Sequence, residues 1–96
     1  RRAVNTRIRI ALPATVDVAS IKHFASQFFG AVMEMHNTRG TVSNVCILPI
    51  GHAHSFSVYV SGTDADVTDD HNDPRVRRFA EAFARRFNGV VAGGAL

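Results

Sequence analysis

The chain has no tryptophan and a single tyrosine, Tyr59, in 96 residues. Little is therefore on offer for stacking on a flat ligand. One cysteine, Cys46, excludes an internal disulfide and fits a reducing, intracellular compartment. No apolar run approaches the roughly 18 residues of a membrane span, so no membrane contact is expected. Only one lysine occurs, Lys22, against ten arginines. The net charge of +3 permits a nucleic-acid partner without demanding one. No Gly-rich phosphate loop and no Ser/His/Asp constellation is present, which argues against an enzyme and against a bound cofactor.

What is present suits one globular domain spanning residues 1–96. Hydrophobic residues make up 46% and charged residues 20%, enough apolar mass for a single core. A chain this short buries about 60–65% of its unfolded surface and has no room for a deep interdomain cleft. The opening Arg1-Arg2-Ala3, with neither Met nor an apolar leader, reads as a domain excised from a longer protein.

Periodicity divides the chain. Ile8, Ile10 and Leu12 alternate with Arg7, Arg9 and Ala11, the pattern of a half-buried strand. Pro13 ends it. Asp17 or Thr15 can cap a helix whose apolar stripe runs through Val18, Ile21, Phe24, Ala25, Phe28 and Phe29 to Val32 and Met35. Gly30 interrupts this stripe. Either the helix ends there and Ala31 to Met35 are extended, or it continues and ends before Asn37-Thr38-Arg39-Gly40; the spacing favours the longer helix. A β-rich segment, Val42 to Ile50, follows. Gly51 to His54 make a hairpin connection, and Ser55 to Val60 alternate again.

Ser61 to Asn72 reads as an acidic loop holding Asp64, Asp66, Asp69 and Asp70, without the spacing of a calcium loop. Asp73-Pro74 then opens a helix with Asp at the N-cap and Pro at the first turn. Val76, Phe79, Ala80, Phe83 and Phe87 form its stripe. Arg75, Arg77, Arg78, Arg85 and Arg86 lie off it and read as a solvated face or a surface for a protein partner. Asn88-Gly89 stops the helix, and Val90 to Leu96 form a short strand.

The expected order is thus βαββαβ. It implies an α+β, ferredoxin-like two-layer sandwich: a four-stranded antiparallel sheet with two helices on one face. The order and spacing of Ile8-Arg9-Ile10-Ala11-Leu12-Pro13, Phe28-Phe29-Gly30, Ser55-Phe56-Ser57-Val58-Tyr59-Val60 and Phe87-Asn88-Gly89 resemble the RNA recognition motif across the whole chain. That resemblance implies a non-enzymatic domain binding single-stranded RNA on its open sheet face.

The family's stacking aromatics are largely missing. Arg9 stands at an aromatic position of the first strand, and Ser55 and Ser57 stand at the two on the third. The expected RNA site is therefore Arg7, Arg9, Ser55, Ser57 and Tyr59, binding weakly and helped by neighbouring domains. The missing aromatics equally suit a version of the fold that binds protein, through the sheet or the Arg-rich helix. A third possibility is an enzyme. His52-Ala53-His54 resembles the His-x-His metal pair of rolling-circle and relaxase nucleases, but neither expected helix carries the Tyr nucleophile such chemistry needs.

Overall fold

Alternating strands bury one face, and a helix stripe needs a surface to cover. The computed structural model of the protein describes residues 6–93, in which these demands meet in one sheet. The order is β1 (Thr6–Ala11), α1 (Val18–Phe29), β2 (Val32–Arg39), β3 (Val42–Pro49), β4 (Phe56–Ser61), β5 (Asp64–Asp69), α2 (Pro74–Arg86) and β6 (Val90–Gly93). The sheet order is β2-β3-β4-β5-β1-β6, with every neighbour antiparallel.

The sheet therefore has six strands, and the expected four-stranded ferredoxin-like βαββαβ sandwich is corrected. Two segments account for the difference. The first helix stops at Phe29 because Gly30 takes φ +86°, a left-handed conformation, and donates its N–H back to the Ser26 carbonyl at 2.8 Å. Val32 and Met35, counted as helical by spacing, lie in β2, where Met35 pairs with Cys46. The acidic segment is no loop either. Ala65 and Val67 are buried between Asp64, Asp66 and Thr68, so it alternates as β5, between β4 and β1. A four-stranded meander thus joins the two helices, and α1 carries the chain from the β1 side to the far edge.

Both helix ends expected at aspartates form. Asp17 accepts from the Ser20 N–H at 2.8 Å, and Asp73 accepts from the Arg75 N–H at 2.9 Å. Hydrogen bonds from the Ser20 side chain and then its backbone hold the Asp17 carboxyl below its ordinary value. Of Val90 to Leu96, residues 90–93 form β6; the remainder lies outside the described residues.

The core lies between one sheet face and the helices. Ile8, Ile10, Val45, Ile47, Val58 and Val67 supply the sheet side, and Ile21, Ala25, Phe79 and Phe83 the helix side. Phe79 is its hub. It is fully buried, stacks on Phe29 at 5.6 Å and meets Phe56 at 5.1 Å and Phe24 at 5.4 Å. At the α2 end, the buried Asp69 carboxylate accepts the N–H groups of His71, at 3.0 Å, and Asp73, at 2.6 Å. Thr6 Oγ1 donates to Asn72 Oδ1 at 2.6 Å and ties the start of β1 to the same turn.

Candidate interaction surface

The helices occupy one sheet face and leave the other open. Register sets what that face displays. One row crosses Asn37, Asn44, Tyr59, Asp66 and Arg9; the next crosses Met35, Cys46, Ser57, Thr68 and Arg7. The β1–β5–β4 half is consequently polar and the β3–β2 half mainly apolar.

The polar half is built around Asp66. Arg7 Nη2 donates to Asp66 Oδ2 at 2.9 Å, and Arg9 Nε stands 3.7 Å from Oδ1 of the same carboxylate. Asp64 lies on the same face beside Ala11. On β1 and β5 two cationic and two anionic side chains thus share the face, and their charges cancel. Arg7, Tyr59, Asp66 and Thr68 help line a shallow depression of about 420 Å³. Tyr59 is 38% exposed. Next to it in the row, Asn44 Oδ1 is buried with no hydrogen-bond partner among the described residues.

The apolar half carries Met33 at 61% and Met35 at 76% exposure. Both border a depression of about 210 Å³ with Cys46, Leu48 and Ser55. The five residues expected to form one RNA site are therefore divided. Arg7, Arg9, Ser57 and Tyr59 lie on the polar half. Ser55 precedes β4 and belongs with the methionines. Asp66, central to this surface, falls outside the expected site because its acidic composition reads as a loop. The signal was there: Gly62-Thr63 between two alternating runs marks a two-residue hairpin.

The histidine pair does not converge. His52 and His54 precede β4, so strand geometry does not align them. His52 meets the Phe29 ring edge-on and places Nε2 3.3 Å from an Arg75 nitrogen. His54 instead stacks on His71, with ring centroids 3.6 Å apart. Among the described residues no group of three or more His, Cys, Asp or Glu side chains is placed to hold a metal ion. No helix among them is long and apolar enough to cross a membrane.

Comparison with protein-family models, with curated proteins and with solved structures returned no match.

Proposed function

We propose that this domain is a non-enzymatic interaction module whose open sheet face binds a protein partner. The observation that carries this reading is the pairing of both Arg7 and Arg9 with Asp66. Nucleic-acid affinity rests largely on cations neutralising phosphates. Here the two cations of β1 already meet a carboxylate, and Asp64 stands beside them. A mixed-charge patch around one tyrosine, bordered by Met33, Met35 and Leu48, suits a protein surface better. Interfaces favour Tyr, Met and Arg, with polar groups fixing the register.

Single-stranded RNA is the second reading. Its support is that the Arg7 and Arg9 side chains remain 58% and 67% exposed beside Tyr59. Such exposed pairs are worth about 0–1 kcal/mol, so a phosphate could displace Asp66 at little cost.

One experiment separates the two. A photo-crosslinking amino acid is placed at Tyr59 in the protein and activated in cells. A discrete adduct that is destroyed by protease and survives nuclease supports the protein reading. An adduct removed by nuclease overturns it in favour of RNA. Backbone amide NMR with a pool of short RNAs, at low salt and at about 150 mM, gives the complementary result. Shifts along β1 and β4 that persist in salt would also support RNA.

A further inference from the structure

Among the described residues the sheet ends at β2, and no strand pairs with its outer edge. It is eight residues long and contains neither Pro nor Lys, two of the usual guards against edge pairing. The Ile50 N–H donates to the Ala31 carbonyl at 3.0 Å, which sets the hydrogen-bonding phase of the β2–β3 ladder. Odd-numbered β2 residues turn their backbone groups toward β3. The N–H and C=O groups of Val32, Glu34, His36 and Thr38 therefore point away from the sheet.

The same face that covers the core carries Glu34 and, two residues on, His36. Glu34 is half-buried and has no ion pair among the described residues. We propose that two copies of this chain associate edge to edge through β2, antiparallel about a two-fold axis at Met35. In that register Glu34 of each copy faces His36 of the other and exchanges both backbone hydrogen bonds with it. Val32 pairs with Thr38 in the same way.

The Glu34 carboxylate, facing an imidazole that can donate to it, selects this register from its neighbours. A shift one way sets Glu34 against Glu34, and a shift the other way sets His36 against His36. With Met35 on the axis, the two Met35 residues form a non-hydrogen-bonded pair, the closer of the two pair types. The axis runs perpendicular to the sheet, so all four helices share one side and the two open faces become continuous. The contact is isologous and closes at a dimer. It involves the edge and not the centre of the open face, so its failure would leave the reading of Tyr59 and Asp66 intact.

The test is sedimentation equilibrium of the full chain, of M35K, of M35E and of an equimolar mixture of the two variants. Met35 is exposed, so either charge leaves the fold intact, which circular dichroism checks. The native chain is expected to dimerise with rising concentration. Each variant alone should be monomeric, because like charges meet on the axis, and the mixture should form heterodimers. E34K should weaken the native dimer about tenfold, since both symmetric pairs lose the carboxylate that accepts from the imidazole, and adding H36E should restore it by pairing the introduced lysine with the introduced glutamate across the axis. A native chain that stays monomeric to millimolar concentration would overturn the proposal. So would M35K and M35E that each dimerise as well as the native chain.

Discussion

The Gly89 backbone passes so close to β1 that a Cβ there would stand 2.8 Å from Ile10 Cγ2. The Ala11 carbonyl oxygen and Leu12 Cδ2 would each lie at 3.0 Å. Asn88, at φ +58°, turns the chain out of α2, and Gly89 lets it run against β1. Gly89→Ala must push β6 away from β1 or displace Ile10 in the core. We expect a loss of about 1–3 kcal/mol, as for other overpacked sites, read as a lower urea midpoint. Amide exchange should rise first in residues 90–93.

Phe79 touches rings from both helices and from β4, so its removal opens a cavity none of them can fill alone. Phe79→Ala should cost about 3–5 kcal/mol. A domain of this size has about 5–15 kcal/mol in all, so this one change takes a large share. Equilibrium urea unfolding measures it. Phe87→Ala, at the half-buried end of the stripe, should cost clearly less.

Asp73 caps α2 and holds Arg75, with Oδ2 at 2.9 Å from Nη2. The side-chain bond from Arg75 is the largest cause that lowers its pKa below the ordinary value of 3.8. The native state therefore favours the ionised form more than the unfolded chain does. This contribution is complete above the unfolded carboxylate value and is lost as pH falls through the lower folded value. Thermal melts from pH 7 to pH 2 should show the native chain losing more stability on acidification than Asp73→Ala.

Asp66→Asn leaves Arg7 and Arg9 without their carboxylate. Stability should change by no more than about 0.5–1 kcal/mol, because the pairs are solvated. The β1–β5 part of the face, neutral in the native chain, becomes net positive. Fluorescence anisotropy with a short single-stranded RNA should show the variant binding more tightly than the native chain at low salt, with a steeper salt dependence. Equal affinities would show that Asp66 is not what limits RNA on this face.

How much of this was legible in the sequence follows from the range of the interactions. Period-two alternation in β1 and β4 and the Phe stripe of α2 are local, and they named most of the core and the face each strand turns outward. Asp17, Asp73 and Asn88-Gly89 were equally local, because a cap or a helix stop acts within one turn. Arg7, Arg9, Ser57 and Tyr59 share the open face for the same reason.

Tertiary structure decided the rest. Ala31 to Met35 fit a helix stripe and a strand almost equally, and pairing with β3 chose the strand. Asp64 to Asp69 look like a solvated loop until β4 and β1 bond to both sides of the segment. The alternation of Ala65 and Val67 then buries apolar side chains while the acids stay outside. Those two choices made the sheet six strands wide, set Asp66 between Arg9 and Tyr59, and left β2 as an open edge. The β2–β3 and β4–β5 hairpins are adjacent in the chain, but the seat of β5 beside β1 rests on backbone bonds to a strand far away in sequence, and local spacing carries no record of that partner.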